Sequence, residues 1–502
     1  MSLISIDNLT FYYDSSSDDI FDHVSFQIDT DWKLGFIARN GRGKTTFLKL
    51  LTGQYEYKGT ISTSEPFDYF PYNVTDMSKN TVDVLEEIHP DYEFWKVCRE
   101  LSLLKVSEDV LFRPFSTLSN GEQTKVCLAL LFSRENHFLL LDEPTNHLDM
   151  PTRELLREYL KTKKGFLLVS HDRDLLDACV DHVLVINKTN IEVCQGNFST
   201  WWENKKRQDA YEMSENERLK KDIDRLKEAA RQASEWADEV ESTKIGKKSN
   251  KYEKCIDTRA YAGEKSRRMQ QRRLNLEHRQ QNEIQEKEKL LNNIETADDL
   301  KLFPLHHYKP VLVYMEDVQV VYDEKKLPPV SFVIENGDRV VLRGKNGCGK
   351  SSILELLLAE LDGKKEFTYT GKVKTASNLK VSYVSQETRF LRGNLKDFAS
   401  ERKLDETLFF AILRKLDFSR QQFEKNMEDY SGGQKKKVLL AASLCEQAHL
   451  YIWDEPLNFI DVFSRMQLEE LIYKFKPTMI LVEHDKTFVD KVATKVVNYK
   501  ED

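Results

Sequence analysis

The chain has 502 residues, of which 40% are apolar and 31% charged, so it is long enough to fold as two or three domains with separate cores. Its formal net charge of −8 excludes binding to nucleic acid through a basic field spread over the whole molecule. Its seven cysteines are scattered without C-x-x-C spacing, which favours reduced thiols and argues against a zinc or iron–sulfur framework.

The sequence also argues against export and against insertion into a membrane. The residues from Met1 to Phe11 lack a basic lead and an apolar segment, so a secretory leader is not expected. No uninterrupted apolar run reaches the roughly 18 residues that span a bilayer. We therefore expect a cytoplasmic protein without a membrane span.

A glycine-rich segment lies between a strand-like run, 34–37, and a helix-like run, 47–51. It comprises Ala38, Arg39, Asn40, Gly41, Arg42, Gly43, Lys44, Thr45 and Thr46. Such a turn directs successive backbone N–H groups at nucleotide phosphates, while Lys44 reaches the β- and γ-phosphates and the Thr45 hydroxyl binds Mg²⁺. Ala38 stands where the pattern G-x-x-x-x-G-K-[ST] has its first glycine.

Two features flank this loop along the chain. Tyr13 follows an early strand-like segment, where it could stack on an adenine ring or serve as a half-buried strand aromatic. Ser119, Asn120, Gly121 and Glu122 precede a helix-like run, and a small hydroxyl residue with a glycine at a helix start can bind an anion. Ser119 and Glu122 can also form an ordinary N-terminal capping box, and the two uses are compatible.

Two acidic residues end the buried-strand pattern 138–141. If this strand end lies at the nucleotide, Asp142 would belong to the Mg²⁺ shell and Glu143 would polarise the attacking water. Without the loop at Lys44, a solvated strand end would be the preferred interpretation. A later apolar strand leads to His171. A lone histidine in such a place is more often structural, but in this order of motifs we predict contact with the γ-phosphate.

The second half repeats these features in the same order. Lys350 follows Lys44 by 306 residues and His484 follows His171 by 313, and this near-constant shift indicates an internal duplication. The second copy comprises the loop Gly344, Lys345, Asn346, Gly347, Cys348, Gly349, Lys350, Ser351 and Ser352, then Gln386, then Ser431, Gly432, Gly433 and Gln434, then Asp454 and Glu455, and finally His484. Two ordered sets of motifs argue strongly against a chance match.

Between the copies the pattern changes to long, charged helix. Apolar residues recur at spacings of three and four from Leu219 to Val240, and a weaker stripe holds Ile284, Leu291 and Ile294. We interpret this as an antiparallel helical hairpin with its tip within 241–263. Residues 241–275 hold eleven Lys or Arg against four Asp or Glu, which suits RNA phosphates but also a solvated charged helix. The candidate RNA contacts are Lys244, Lys247, Lys248, Lys251, Tyr252, Lys254, Arg259, Arg267 and Arg268.

The ordered P-loops, Ser-Gly-Gly-Gln segment, Asp-Glu boxes and histidines resemble those of ATP-binding-cassette (ABC) ATPases, here twice in one chain. Two cassettes and a charged helical linker resemble the ABC-F translation factors. Within that class 31–35, 40–46 and 113–115 look like the Lsa-type antibiotic-resistance proteins. The expected fold is α/β, with two tandem P-loop ABC ATPase domains, 1–202 and 301–502, joined by a helical hairpin linker, 203–300.

The resemblance implies two composite ATP sites, because the cassettes of this family pair head-to-tail within one monomer. One site would pair Lys44, Asp142, Glu143 and His171 with Ser431, Gly432 and Gly433. The other would pair Lys350, Asp454, Glu455 and His484 with Ser119 and Gly121. Tyr13 and Tyr322 would stack on adenine. The Mg²⁺ ligands would be Thr45, Asp142, Ser351, Gln386 and Asp454.

The chain departs from the family pattern at three positions. Ala38 replaces a turn glycine, which costs little if its φ is negative. Asn120 replaces the first glycine of the signature. Tyr72 stands in the place of the glutamine that the second copy keeps as Gln386, and a tyrosine offers Mg²⁺ no amide oxygen. We therefore predict unequal hydrolysis at the two sites.

The resemblance implies a ribosome-binding ATPase whose hairpin reaches toward the peptidyl-transferase centre, with large-subunit rRNA and P-site tRNA as partners. In the resembled proteins this protects against lincosamides, pleuromutilins and streptogramin A. A housekeeping factor that rescues stalled ribosomes is the second hypothesis. The third, the ATPase subunit of a drug exporter, is disfavoured by the missing membrane spans and the basic hairpin.

Overall fold

The structure, a computed structural model, describes residues 2–13, 20–146, 148–187, 190–242, 300–322, 325–363 and 367–499. The chain divides into two compact units, one formed by 1–201 with 298–502 and the other by 202–297. The first unit contains both copies of the duplicated sequence, which are called cassette 1 (1–201) and cassette 2 (298–502) from here on. The narrower domain limits of 1–202, 203–300 and 301–502 stay a prediction.

Cassette 1 mixes short strands with short helices. Its strands are β1 (Leu3–Phe11), β2 (Phe21–Asp29), β3 (Lys33–Ile37), β4 (Lys58–Ser62), β5 (Phe67–Phe70), β6 (Phe138–Asp142), β7 (Phe166–Val169), β8 (His182–Asn187) and β9 (Asn190–Gln195). Its helices are α1 (Lys44–Leu51), α2 (Thr81–Ile88), α3 (Phe94–Leu103), α4 (Asn120–Ser133), α5 (Met150–Lys161) and α6 (Arg173–Cys179).

Two sheets form the scaffold of cassette 1. The described strands pair in the order β2-β1-β4, all antiparallel, and β5-β6-β7-β3-β8-β9, parallel as far as β8. Because the carboxyl ends of parallel strands meet at one edge of a sheet, the segments after β3, β6 and β7 are neighbours. This order brings the loop before Lys44 next to Asp142 and His171.

A long helix, α7 (Phe198–Ser242), follows β9. The helix expected over 219–240 is therefore present as part of α7. The predicted second arm, the tip and the candidate RNA contacts from Lys244 to Arg268 lie outside the described residues. None of the helices in the described ranges has the length and apolar character needed to cross a membrane.

Cassette 2 has its own set of elements. Its strands are β10 (Val311–Tyr322), β11 (Lys325–Lys326), β12 (Val330–Glu335), β13 (Arg339–Arg343), β14 (Thr368–Thr375), β15 (Val381–Val384), β16 (Leu450–Asp454), β17 (Met479–Val482) and β18 (Lys495–Asn498). Its helices are α8 (Lys350–Asp362), α9 (Leu395–Glu401), α10 (Glu406–Lys415), α11 (Arg420–Phe423), α12 (Gly432–Cys445), α13 (Val462–Phe475) and α14 (Lys486–Val492).

The topology of cassette 2 confirms the predicted duplication. Its described parallel strands pair in the order β15-β16-β17-β13-β18, which matches β5-β6-β7-β3-β8 of cassette 1. The antiparallel strand β10 pairs with β12 and β14, as β1 pairs with β2 and β4. Equivalent strands, β3 and β13, therefore precede the two P-loops, and equivalent strands, β6 and β16, precede the two acidic pairs.

The first helix after each P-loop is anchored between the two sheets. Phe47 on α1 is fully buried, and its ring lies 5.9 Å from that of Phe21 on β2 and 5.3 Å from that of Phe36 on β3. Ile353 holds the equivalent place on α8 and is fully buried in the core of cassette 2. Burial of this residue fixes the helix end, and thus the P-loop, against the sheet.

Candidate nucleotide-binding sites

Both P-loops have the left-handed backbone that the glycine pattern predicts. Gly43 and Gly349 precede α1 and α8 with φ of 90° and 103°. The following lysines turn back to carbonyls of their own loops, since Nζ of Lys44 lies 2.7 Å from the Ala38 oxygen and Nζ of Lys350 lies 2.9 Å from the Gly344 oxygen. The two loops thus have matching geometry despite their different first residues.

The alanine at the first turn position is tolerated for a local reason. Ala38 is not among the residues with positive φ, so the condition under which we expect a small cost is met. In cassette 2 a Cβ added to Gly344 would lie 2.8 Å from Sγ of Cys348. Cassette 1 has Arg42 at the position of Cys348. The first residue of its loop therefore has no cysteine sulfur beside it that a Cβ would meet.

The glycine before each lysine is expected to be indispensable, and cassette 1 offers a matched pair of variants. A Cβ on Gly43 would lie 2.6 Å from Cγ2 of Ile20, whereas one on Gly41 would meet nothing within 4 Å. Both residues have positive φ, so each alanine costs about 1–2 kcal/mol, and crowding adds about 1–3 kcal/mol at Gly43 only. In a Lys350→Ala background, Gly43→Ala should weaken binding of a fluorescent ATP analogue far more than Gly41→Ala. Equal losses would contradict the crowding argument.

The acidic pairs follow β6 and β16 in an unusual backbone conformation. Glu143 and Glu455 have φ of 51° and 45°, which is strained for a residue with a side chain and is typical of functional sites. Their amides donate to the neighbouring strands, at 2.9 Å to the Val169 oxygen and 3.0 Å to the Val482 oxygen. Both glutamates are therefore held at the sheet edge beside the P-loops.

The aspartates that precede these glutamates fit a hard divalent cation. Oδ2 of Asp142 lies 3.2 Å from the Thr45 hydroxyl. Oδ1 of Asp454 is buried and has no hydrogen-bond partner among the described residues. Burial raises the pKa of this carboxyl to about 6, although a hydrogen bond from Ser351 acts to lower it. Within the described ranges no cluster of three or more His, Cys, Asp or Glu could hold a metal. Proteins usually bind Mg²⁺ through one or two carboxylates together with substrate phosphates, and Asp142 and Asp454 can each supply one such carboxylate.

The two glutamates have different surroundings. Burial of Glu143 and the neighbouring charge of Asp142 together raise the pKa of Glu143 to about 8. Nε2 of His171 lies 3.2 Å from Oε1 of Glu143, and burial holds the pKa of this imidazole well below its ordinary value, so it is neutral. The histidine is thus suited to accept or donate a hydrogen bond at the γ-phosphate position.

Glu455 is held by more partners. Its Oε2 accepts from Nε2 of Gln386 at 2.9 Å and from Nδ2 of Asn458 at 2.6 Å. Nε2 of His484 lies 3.7 Å from the other oxygen. Although burial acts to raise the pKa of Glu455, His484 and Asn458 lower it below its ordinary value. The second site therefore holds its glutamate charged and fixed.

The glutamine position of cassette 1 is used differently. Tyr72 occupies the place of Gln386, but its hydroxyl lies 3.1 Å from Nε2 of His89. Tyr69, three residues earlier and within β5, donates instead to Asp142 at 3.1 Å. The sequence analysis missed Tyr69, although the alternation of β5 places it on the opposite face from Phe70 and Asp68, which are buried.

The signature segments begin α4 and α12. Both have a capping box, the predicted one of Ser119 with Glu122 and a second of Ser431 with Gln434. In each, the serine oxygen accepts from the backbone N–H three residues on at 3.3 Å. The box orders the helix start and keeps the first backbone N–H groups pointing out of the helix.

Each P-loop lies against the other cassette. Nδ2 of Asn40 donates to the Phe459 oxygen at 2.9 Å. The same oxygen packs against Gly433, because a Cβ added to this glycine would lie 2.7 Å from it. At the other site a cavity of about 400 Å³ brings Asn120 and Leu148 of cassette 1 together with the second P-loop. It is also lined by Arg153, Asn346, Gly347, Gly349, Lys350, Ser351, Ser352, Gln386, Glu455, Asn458 and His484. Each P-loop therefore contacts residues of the other cassette, and the head-to-tail composition of the two ATP sites stays a prediction.

The adenine-stacking residues stay a prediction. The hydroxyl of Tyr13 lies 2.9 Å from that of Thr46, and its ring makes edge contacts with Phe11 and Tyr55 at 5.1 and 5.9 Å. Tyr322 ends β10, and its side chain lies outside the described part of the structure.

Comparisons with known proteins agree with this geometry. The family model for the ABC transporter matches residues 21–146 and 327–458, slightly more than half of the chain. The chain is 27% identical to the ATP-binding protein Uup of Buchnera aphidicola, over 99% of this chain and 80% of the relative. It is 26% identical to the ribosome protection protein VmlR of Bacillus subtilis, over 98% and 85%. It is 28% identical to the erythromycin resistance ATP-binding protein MsrA of Staphylococcus epidermidis, over 92% and 91%.

Solved structures support the fold. An archaeal ribosome recycling factor, crystallised with the ribosomal stalk protein aP1, is 18% identical with a TM-score of 0.63, over 99% of this chain and 88% of that chain. The RNase-L inhibitor is 19% identical with a TM-score of 0.62, over the same shares of the two chains. The duplicated α/β topology, the matching P-loops and the family model together show that the chain belongs to the ABC transporter family, as an ATPase of the ABC-F type with two ATP-binding domains.

Proposed function

We propose that this ATPase binds the ribosome and protects its peptidyl-transferase centre from antibiotics of the lincosamide, pleuromutilin and streptogramin A type, as an Lsa-type protein. The observation that carries the proposal is that each P-loop contacts the opposite cassette within one chain. ATP bound between the cassettes can therefore change their relative position and that of the linker attached to them. Relatives named for ribosome protection and erythromycin resistance, similar over nearly the whole chain, favour this assignment.

We assign the two ATP sites as composite. In the first, Lys44 and the N–H groups of 38–46 bind the phosphates, Glu143 orients the attacking water, and His171 contacts the γ-phosphate. The helix start at Ser431 and Gly433 completes this site. In the second, Lys350, Glu455 and His484 have these roles, with Ser119 and Gly121 supplied by cassette 1. Gln434 and Glu122 fix the helix starts through their capping boxes.

The divalent cation would be held by hydroxyl and carboxylate oxygens of the same sites. Thr45 with Asp142, and Ser351 with Asp454 and Gln386, are the proposed Mg²⁺ ligands. When bound, Mg²⁺ neutralises charge that develops on the β- and γ-phosphate oxygens. The protein's own part is to place the phosphate chain, to exclude water other than the attacking one, and to accept its proton at Glu455 or at the ionised form of Glu143.

The linker would make the RNA contacts. Its stretch 241–275 holds eleven Lys or Arg against four Asp or Glu, so its charge is opposite in sign to the net charge of −8. Lys and Arg at this density bind phosphates, and Tyr252 can stack on bases. We propose large-subunit rRNA and P-site tRNA as partners, in the cytoplasm, with hydrolysis releasing the factor because the ADP state has lower affinity for the ribosome.

Ribosome binding is expected to depend on trapped ATP. The Glu143→Gln/Glu455→Gln double variant should bind ATP, fail to hydrolyse it and co-sediment with ribosomes at near-stoichiometric amounts. The Lys44→Ala/Lys350→Ala double variant is the matched control, since it keeps both glutamates but loses phosphate binding, and it should stay in the supernatant. A trapped double variant that binds ATP and still stays in the supernatant would overturn the proposal.

Drug susceptibility separates protection from housekeeping. A sensitive host that expresses the wild-type chain should grow at several-fold higher lincosamide or pleuromutilin concentrations. A variant with residues 241–263 shortened should lose this effect while it keeps its ATPase activity. Ribosome binding without any change in susceptibility would instead assign the chain as a housekeeping translation factor, and resistance without ribosome binding would favour a drug-exporter subunit.

A further inference from the structure

A buried lysine lies behind the second ATP site and has no part in the roles assigned above. Lys436 stands on α12, five residues after Ser431, and is 2% exposed. Its Nζ lies 2.8 Å from the Ser385 oxygen, 3.0 Å from the Asp454 oxygen and 3.5 Å from the Gln386 oxygen. A lysine ammonium has three N–H donors, and it requires such acceptors once it is removed from water.

The three carbonyls belong to two segments that carry functional side chains. Ser385 and Gln386 form the loop after β15, and the side chain of Gln386 holds Glu455 at 2.9 Å. Asp454 ends β16 directly before Glu455. One ammonium group therefore fixes the main chain on both sides of the proposed water and metal positions. The charges of Asp454 and Glu455 also oppose the effect of burial, which lowers the pKa of Lys436 to about 8.

The N-terminus of the same helix, three residues before Lys436 at Gly433, serves the first ATP site. Gly433 at the start of α12 packs against the backbone of Phe459, which accepts a hydrogen bond from Asn40 in the P-loop of cassette 1. The helix thus has its N-terminus at one site and Lys436 at the other. Movement of α12 toward nucleotide at the first site would carry Lys436, and with it the carbonyls that it binds.

Cassette 1 lacks a lysine at this position. Its α4 has Thr124 at the equivalent place, and the Thr124 hydroxyl donates to the Asn120 oxygen within the same helix at 2.9 Å. Cassette 1 also has Tyr72 instead of a glutamine in the loop that Lys436 binds in cassette 2. The lysine and the glutamine therefore occur together, in the same cassette.

We propose that Lys436 is a positioning residue for the second ATP site, holding Gln386 and the Asp454–Glu455 segment in register with the signature helix of the first site. This rests on the assignment of the two ATP sites proposed above. Lys436 itself contacts carbonyl oxygens and not the nucleotide. Its loss should therefore lower the rate of the chemical step at one site and leave nucleotide affinity largely unchanged.

The test measures ATP hydrolysis at each site separately. In a Glu143→Gln background only the second site hydrolyses, and in a Glu455→Gln background only the first. Lys436→Met should lower single-turnover hydrolysis about tenfold or more in the first background, and by less than about twofold in the second. Lys436→Arg keeps the charge but has a planar fork of donors, so it should recover part of the rate. Affinity for a fluorescent ATP analogue, measured in a Lys44→Ala background, should change less than about threefold.

The matched control is Lys435→Met, the neighbouring half-buried lysine, whose Nζ binds the Glu428 oxygen at 3.1 Å. It should leave both sites at the parent rate. A Lys436→Met chain that hydrolyses like this control, or that loses both sites equally, overturns the inference. If the methionine variant fails to fold, the same comparison of the two sites is made with Lys436→Arg, and an equal effect on both again overturns it. An inactive Glu143→Gln parent would instead count against the assignment of the second ATP site.

Discussion

Removal of the charge of Glu469 is expected to weaken the pairing of the two cassettes by about 3–5 kcal/mol. Glu469 lies on α13 of cassette 2, and its carboxylate binds both terminal nitrogens of Arg173, the first residue of α6 in cassette 1. The two residues are 5% and 4% exposed. A Glu469→Gln variant would remove the one carboxylate that the buried guanidinium contacts directly in the described structure and leave only the more distant charges of Asp485, Asp174 and Asp172. This costs far more than the loss of a surface ion pair.

The equivalent positions on the other side of the interface have like charges. Glu469 stands eight residues after Asp461, the residue that caps α13, and Arg157 stands eight residues after Asp149, which caps α5. Lys486 begins α14 as Arg173 begins α6. At the positions equivalent to Glu469 and Arg173, the other side of the interface therefore has two cations, Arg157 and Lys486.

A second pair at the P-loops repeats this asymmetry. Arg39 forms an ion pair with Asp417, which follows α10 with a φ of 63°. The matching residues are Lys345 in the second P-loop and Lys105, which follows α3 with a φ of 52°. Both cross-cassette ion pairs thus favour closure of the first site. At the second site, all four equivalent positions hold cations, which repel one another. We therefore expect the first site to stay closed longer after ATP binds.

The pairing is measured by energy transfer between dyes placed on the two cassettes, in the Glu143→Gln/Glu455→Gln background with saturating ATP. Glu469→Gln should lower the closed fraction strongly. Asp417→Asn is the matched comparison, because its pair with Arg39 is about a quarter exposed, so water screens it more than the pair of Glu469 with Arg173 and its loss should lower closure less. Arg157→Glu, which places an acid at the position equivalent to Glu469, should raise the closed fraction. If Glu469→Gln lowers closure no more than Asp417→Asn does, the buried pair does not hold the interface.

The motifs could be read from the sequence because their geometry is local. The turn at Gly43 and the capping box at Ser119 depend on residues within a few positions of each other, and both are present as expected. The neighbourhood of Asp142 and His171 follows from the strand order that an α/β fold with parallel strands imposes. Spacing along the chain was therefore enough to assemble each half-site.

The contacts that distinguish the two sites could not be read in this way. Arg173 and Glu469 are 296 residues apart, and Tyr69 and Asp142 are 73 apart, so neither pair leaves a periodic signal. Lys436 stands in a run of three lysines that reads as a solvated helix face, and only packing against β16 reveals that it is buried. Tertiary contact, and not local pattern, decides which charged residue of a helix is functional.

Hydrolysis is expected to be faster at the second site than at the first. Glu455 is held by Gln386 and Asn458 at 2.9 and 2.6 Å, and a hydrogen bond to a charged group contributes about 1.5–3 kcal/mol. In cassette 1 the residue in place of Gln386 is Tyr72, whose hydroxyl is engaged with His89, so Glu143 lacks this partner. The difference corresponds to at least about tenfold in rate.

Single-turnover ATP hydrolysis in the two separate Glu→Gln backgrounds measures this difference. The Glu143→Gln chain, in which only the second site hydrolyses, should be about tenfold faster than the Glu455→Gln chain. Gln386→Tyr should remove most of the advantage from the faster chain, because it gives the second site the tyrosine of the first. The reverse change, Tyr72→Gln, should accelerate the slower chain less, since it also breaks the contact with His89. Equal rates in the two parent backgrounds would show that the glutamine position does not set the rate, and that closure of the cassettes limits both sites alike.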